Sequence, residues 1–349
     1  MLSEFINKLP KNVDGALIVS PESRRYFTGF NASDGFLFIT KSGSVFLTDS
    51  RYIEAAKNKI ICCEVEEQKG KLMDYAKRFS CKVLAVEADR LTVTQLKNLR
   101  KALHGIKLTT VGTDKIIDSF RAVKNEAEIE NICKAQRIAE AAFDHILGFI
   151  KVGVTEKEVA LELDHYMLSH GADGLSFETI AISGANTSKP HGVPTDKKIE
   201  HGDFVTMDYG AVVNGYHSDM TRTVAVGAAS DEQKKIYKIV FEAQLAVLRV
   251  LKNGVKCSDA DKAARDVITE AGYGEYFRHS TGHGVGIEIH EKPFVSPKST
   301  ATLRSGNVVT DEPGIYIPGK FGVRIEDMAL ITENGCKNLT KAPKELIII

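Results

Sequence analysis

The chain carries no excess charge of either sign. Lysine and arginine number 46 and so do aspartate and glutamate, giving a formal net charge of zero and a pI near 7.1. That balance argues against an electrostatic partner such as nucleic acid or an anionic membrane. Long apolar runs are also missing, and no charged-then-apolar leader opens the chain, so neither a membrane span nor a secretory segment is expected. Cysteine is sparse: six residues, two of them adjacent at Cys62-Cys63 and the rest scattered. They form neither a disulfide framework nor a zinc spacing, which points to reduced thiols and a cytoplasmic protein. What remains is a 349-residue chain, 43% hydrophobic and 26% charged, globular and long enough for two domains.

The first 120 or so residues alternate short apolar strands ("GALIVS", "GFLFIT", "SVFLTD", "KVLAVE") with amphipathic helices ("SRYIEAAKNK", "TVTQLKNLRKAL"). This is an α/β domain without a metal or nucleophile signature. The texture then changes: a long helix from near Asn125 towards Ile150, a second over roughly Thr155 to Ser169, and strands after them. These changes place the domain boundary near residue 122, giving domains 1–121 and 122–349.

The segment "VTMDYGAVVNGYHSDMTRTV" reads as two strands around Asn214-Gly215, a dipeptide suited to a type I′ turn with φ > 0 at both positions. Counting outward, Val213 pairs with Tyr216 and Asp208 with Thr221, so Asp208 and Asp219 share a face as diagonal neighbours. A solvent-facing acidic pair is the plain reading. The second domain, however, repeats itself. "KVGVTEKEV" returns as "KNGVKCSDA", "HGVP" as "HGVG", "GDFVTMDYG" as "GNVVTDEPG", and "YHSDMTRTVAV" as "VRIEDMALI". The repeats set Asp208 over Glu312, Asp219 over Glu326 and His217 over Arg324. Two αα-then-β halves therefore face each other across a pseudo-two-fold axis, and four carboxylates converge there. Four clustered anions are destabilising without cations, so divalent metals are expected, with room for two ions about 3.5–4 Å apart. A mostly oxygen donor set with one or two imidazoles suits Mn²⁺, or a similar ion such as Co²⁺, Fe²⁺ or Zn²⁺.

Together "MDYG…SDMTRT", "STGHGVGIEIHE", "TDEPGIY" and "VRIED" resemble the pita-bread metallopeptidases that act on proline peptides, Xaa-Pro dipeptidase (prolidase) and aminopeptidase P. "LTDSRYIEAA" resembles the creatinase-type N-terminal domain of the same proteins. The resemblance implies an α/β N-terminal domain followed by an α+β pita-bread catalytic domain. It also implies a homodimer, and hydrolysis of the N-terminal Xaa-Pro bond in dipeptides or short peptides by a water acidified between two cations. Carried over by residue, Asp208 chelates one ion, Asp219 and Glu326 bridge both, and His283 and Glu312 hold the second. Glu312 is also the proton shuttle. His191 and His290 bind substrate and steady the tetrahedral intermediate, and His279 is a further site-lining residue. Arg324, two residues before Glu326 on a strand, points inward to orient the metal carboxylates or hold the substrate. His217 takes a structural or supporting place.

Two other readings compete. A methionine aminopeptidase has the same core, but "EPGIY", "RIED" and the long N-terminal domain favour the proline peptidases. A catalytically inactive protein-binding module of the same fold has lost ligands and gained charged tails, and neither is seen in this chain. After "IEIHE" the chain reads Lys292-Pro293-Phe294, where several prolidases carry an arginine able to meet a substrate carboxylate. Lys292 or Arg324 could take that place, but a lysine lacks the bidentate fork, so action on both Xaa-Pro dipeptides and longer Xaa-Pro-led peptides is expected.

Overall fold

Strands that must be covered on both faces read as unbroken apolar runs, and the first unit is built on such strands. The computed structural model describes Met1–Ile349, and the chain divides into Met1–Arg121 and Ala122–Ile349. In the first unit, six strands form one mixed sheet. Gly15–Ile18 lies beside Phe36–Thr40, which forms a hairpin with Gly43–Thr48. Val83–Val86 pairs in parallel on the other side of Gly15–Ile18. Alternate residues feed two separate cores. Phe27, Leu37, Ile39 and Phe46 pack on one face, and Leu17, Phe38, Val45 and Leu84 on the other. The edge strands Glu64–Glu67 and Lys107–Thr109 are short and polar, a composition that discourages pairing with another sheet and hides them from a reading based on hydrophobic pattern.

In the second unit, each half opens with a long helix followed by a 14-residue one. The first half has Glu126–Phe149 and Glu156–Ser169, and the second has Asp231–Val250 and Cys257–Glu270. Asn125, Thr155 and Ser230 each close a capping box with the acid or amide three residues on, which fixes where those helices begin. The duplication extends to backbone detail. Thr155 bridges Lys198, and its repeat partner Lys256 bridges Thr302. Gly153 and Gly254 turn the chain at equivalent points with φ of 95° and 84°.

The strand Phe204–Tyr209 pairs with Met220–Ala225 and places Asp208 opposite Thr221. Asn214 and Gly215 both have positive φ, at 50° and 78°, and Val213 lies opposite Tyr216. The hairpin is not one ladder, however. Beyond Tyr209 the short strands Ala211–Val213 and Tyr216–His217 join Gly174–Leu175 in a sheet of their own. A side chain on Gly210 would collide with the Ser218 carbonyl, so the crossing needs glycine. In the second half, Val308–Asp311 pairs with Asp327–Ile331, and Gly314–Ile317 with Phe321–Arg324. There Asp311 lies opposite Asp327, so the two halves pair in different registers around their acids.

Arg222 fastens the two halves together from behind this pair of sheets. It is buried and all its donors are used. Nε reaches the Pro343 carbonyl (2.8 Å), and Nη1 the carbonyls of Thr221 (2.9 Å) and Glu326 (2.6 Å). Nη2 reaches Asp327 Oδ1 (2.8 Å) and the Ala342 carbonyl (2.8 Å). Lys344 completes the pairing at Asp327 Oδ2, at 2.5 Å. Removing one member of such a buried pair leaves charge and carbonyls uncompensated. Arg222→Leu is therefore expected to cost about 3–5 kcal/mol, read as a lowered urea midpoint. An unchanged midpoint would mean that Arg222 is not a fastening point.

Candidate metal centre

Two carboxylates come from each half. Asp208 lies near the end of its strand and Asp219 immediately before the strand that pairs with it. Glu312 follows Val308–Asp311, and Glu326 lies between Arg324 and Asp327 at a strand junction. Together with His191, His279, His283, His290 and Arg324, these acids line a single cavity of about 540 Å³. Ligand atoms of Asp219, His283 and Glu326 lie within 4.8 Å of one another. His283 Nε2 is 3.5 Å from both Asp219 Oδ2 and Glu312 Oε1.

Burial pushes the Asp219 carboxyl well above the usual range, and Asp208 and Glu312 add to the shift. Glu326 behaves likewise, through burial and then Asp219, Glu312 and Asp208. Burial raises Glu312 to about 8, against a lowering by Arg324 and with a further push from Asp208. Arg324 is the only cationic side chain of the lining, so it offsets just one of the four acids. Its Nη2 meets Asp208 Oδ2 at 2.6 Å, while Asp208 Oδ1 is buried without a hydrogen-bond partner. An orphaned carboxylate oxygen in a cavity shared with three other acids is the signature of a cation site.

The imidazole fits the same purpose. His283 Nδ1–H donates to the Gly284 carbonyl at 3.1 Å, which leaves the Nε2 lone pair bare and aimed at Asp219 and Glu312. Burial, and then His290, depress its pKa to about 4, so it is neutral and able to ligate at pH 7. The donor set therefore fits divalent ions.

Arg324 does more than face inward. Nε donates to Thr221 Oγ1 (3.0 Å), which itself donates to Glu326 Oε2 (2.8 Å). Nη1 donates to Tyr316 Oη (2.8 Å) and to the Pro190 carbonyl (3.3 Å). The directions beyond Tyr316 are fixed. Its hydroxyl accepts from Arg324 and donates to His279 Nε2 (2.9 Å), whose Nδ1–H donates to the Ser280 carbonyl (2.8 Å). Both nitrogens of His279 are thus engaged inside the protein. Tyr316 and Thr221 take part in the site and were not singled out in the sequence. The pairing of Gly314 with Arg324 could have pointed to Tyr316, two residues along the same strand.

His290 stands edge-on over His283, with ring centroids 4.4 Å apart. His191 is exposed on a loop. Phe177, Ile180, Pro190, Ile289 and Phe294 form the apolar part of the lining. Lys292 is exposed and outside that lining, so of the two cations offered by the sequence only Arg324 faces the cavity.

The sequence profile of metallopeptidase family M24 matches residues 130–333, and that of the Creatinase/Prolidase N-terminal domain matches residues 10–123. The Xaa-Pro dipeptidase of Pyrococcus horikoshii is 41% identical over 348 residues, covering 99% of this chain and 97% of that protein. An Xaa-Pro dipeptidase structure from Bacillus anthracis superposes with a TM-score of 0.96 at 43% identity, over 100% of this chain and 99% of the other. An X-Pro aminopeptidase structure from Thermotoga maritima gives a TM-score of 0.93 at 37% identity, with the same coverage. No helix is long and apolar enough to cross a membrane.

The acids also give the metal-free protein a pH signature. An acid whose folded pKa is raised, as Glu312 is from 4.5 to about 8, favours folding at low pH and withdraws that support as pH climbs through the folded value. The depressed histidines act oppositely, but only below their ordinary 6.5. Between pH 6.5 and 8 the acids dominate the site. Chelated protein is therefore expected to melt at a lower temperature at pH 8 than at pH 6.5, and Glu312→Gln to reduce that fall. Equal slopes for the wild type and the variant would contradict the charge crowding.

Proposed function

The chain belongs to metallopeptidase family M24, and on that premise we propose that it is a metallo-exopeptidase that hydrolyses the bond between an N-terminal residue and a following proline. The observation that carries the reading is the meeting of Asp208, Asp219, Glu312, Glu326 and a lone-pair-bearing His283 in one cavity with an apolar wall. Relatives of this length bear the names Xaa-Pro dipeptidase and X-Pro aminopeptidase. An Xaa-Pro bond is a tertiary amide without an N–H, and its ring fixes φ, so recognition by extended backbone pairing is poorly served. A small cavity with rings such as Phe177 and Phe294 to receive the pyrrolidine is a workable alternative.

Two divalent ions, when bound, acidify a water and polarise the scissile carbonyl. Asp208, Asp219, His283, Glu312 and Glu326 would hold them, Asp219 and Glu326 as the ligands that would serve both. Glu312 takes the proton of the attacking water and returns it to the departing proline nitrogen. His191 and His290 present N–H donors to the charge that develops on the carbonyl oxygen. Arg324 orients Asp208, and His279 acts through Tyr316 to hold Arg324. Four carboxylates and one imidazole favour Mn²⁺ among the candidate ions. The likeness to the proline peptidases carries a homodimer with it, and six free cysteines suit a reducing cytoplasm.

Chain-length preference follows from the same geometry. Arg324 is committed to Asp208, Tyr316, Thr221 and Pro190, so it is not a free receptor for a substrate carboxylate. Activity on both Xaa-Pro dipeptides and longer Xaa-Pro-led peptides is expected. Ala-Pro and Ala-Pro-amide should give kcat/KM values of the same order. A strong preference for the free acid would show that the carboxylate is read after all.

Metal dependence tests the reading as a whole. Exhaustive chelation should abolish Ala-Pro hydrolysis and Mn²⁺ should restore it, and turnover by protein shown to be metal-free would sink the proposal. Asp219→Ala or Glu326→Ala should lose bound metal together with several orders of magnitude in rate, whereas Glu312→Gln should keep metal and lose turnover. Elemental analysis beside the kinetics separates the two cases.

A further inference from the structure

His191 is carried on a loop, and an exposed loop side chain is not held in one place by its own surroundings. Between the strands Ile180–Ser183 and Phe204–Tyr209 the chain makes a short 3₁₀ turn at Gly184–Ser188 and then passes through Pro190 and His191. One buried carboxylate ties both ends of this passage. Glu156 Oε1 accepts from Ser183 N (2.7 Å), Ser183 Oγ (3.1 Å) and Asn186 Nδ2 (3.0 Å). Glu156 Oε2 accepts from Thr195 N (2.9 Å) and Thr195 Oγ1 (2.6 Å). Burial raises the Glu156 carboxyl, but the donors on Thr195, Asn186 and Ser183 outweigh it and hold the pKa below the usual range. At neutral pH it is an anion that accepts five hydrogen bonds.

A plainer explanation is that Glu156, as the first residue of its helix, serves the helix. That need is already met: Thr155 and Glu158 form the capping box, and none of the five donors to Glu156 belongs to the helix. All five belong to the ends of the passage that carries His191. Its middle is held from the cavity side, where Arg324 Nη1 donates to the Pro190 carbonyl.

The second half repeats the device with other residues. Asp261, buried in the helix Cys257–Glu270, accepts from Thr281 N (3.2 Å) and Thr281 Oγ1 (2.9 Å). It also pairs with Arg265 (Nε to Oδ2, 2.8 Å), whose Nη1 and Nη2 donate to the carbonyls of Phe277 (2.9 Å) and His279 (3.0 Å). In each half, then, the 14-residue helix uses a buried carboxylate to seat the segment that brings histidine to the cavity. The two acids do not occupy equivalent repeat positions, since Glu156 aligns with Cys257.

We propose that Glu156 is a positioning residue for catalysis, fixing the 183–195 passage so that His191 meets the reacting carbonyl. This rests on the reading of His191 as a substrate contact given above. A carboxamide cannot accept on both sides, so Glu156→Gln releases one end of the passage. In metal-loaded protein this should lower kcat/KM for Ala-Pro by about tenfold to a hundredfold, with metal content unchanged. In a His191→Ala background the same substitution should change kcat/KM by less than about twofold. Hydrogen exchange of peptides within 184–194 should quicken, while that of Phe204–Tyr209 and Asp327–Ile331 should not. Thr195→Val, at an exposed position where folding is not at stake, should act in the same direction. Equal losses with and without His191, or unchanged exchange in the passage, would overturn the proposal. If the wild type shows no Xaa-Pro hydrolysis, the functional reading fails on its own, and the exchange measurement still decides whether Glu156 holds the passage.

Discussion

Four carboxylates of like charge share one buried cavity with a single guanidinium to balance them, and the catalytic unit is organised around that repulsion. Without cations, Asp219, Glu312 and Glu326 are driven towards their protonated forms. Proximity is imposed by strand pairing, which is itself held by wholly buried strands and by the donors of Arg222 behind them. Stability is therefore invested on one side of the sheets, and electrostatic strain is kept on the other. The strain is relieved by protonation at low pH and by cations at neutral pH, so the charge crowding favours the binding of divalent ions.

The duplication is not symmetric where it matters. The first half offers two aspartates, and the second offers two longer glutamates with the histidine ligand. Arg324 and His217 occupy equivalent repeat positions, but only Arg324 enters the cavity lining. Its partner Asp208 belongs to the other half, so the second half tempers the charge of the first. Thr221 works the same way, accepting from Arg324 and donating to Glu326 across the join.

The parts of this arrangement visible in the sequence are those that depend on short-range spacing. Asn214-Gly215 sets a register, the register places Asp208 and Asp219, and the repeat carries the pattern to Glu312 and Glu326. Thr221 and Glu156 carry no legible role because their partners lie far along the chain, and Tyr316 and Asp261 carry none because no local pattern marks a hydroxyl as a relay or a buried acid as a clamp. Glu156 reads in sequence as an ordinary first-turn acid. The edge strands of the first unit were hidden for a different reason. Glu64–Glu67 is charged because it is an edge, which removes the alternation that would identify a strand. His279 was legible as a site residue, but the direction of its hydrogen bonds was not, and that direction makes it a prop for Tyr316.

The halves are joined by the link Gly227–Ser230, which is largely exposed and lies between a buried strand and the capped start of a helix. Asp208 and Asp219 lie before it; His283, Glu312 and Glu326 lie after it. Neither fragment of a chain nicked there could close the centre alone. Retention of metal would thus become a reporter of fragment complementation, since ions stay bound only where both pieces have docked.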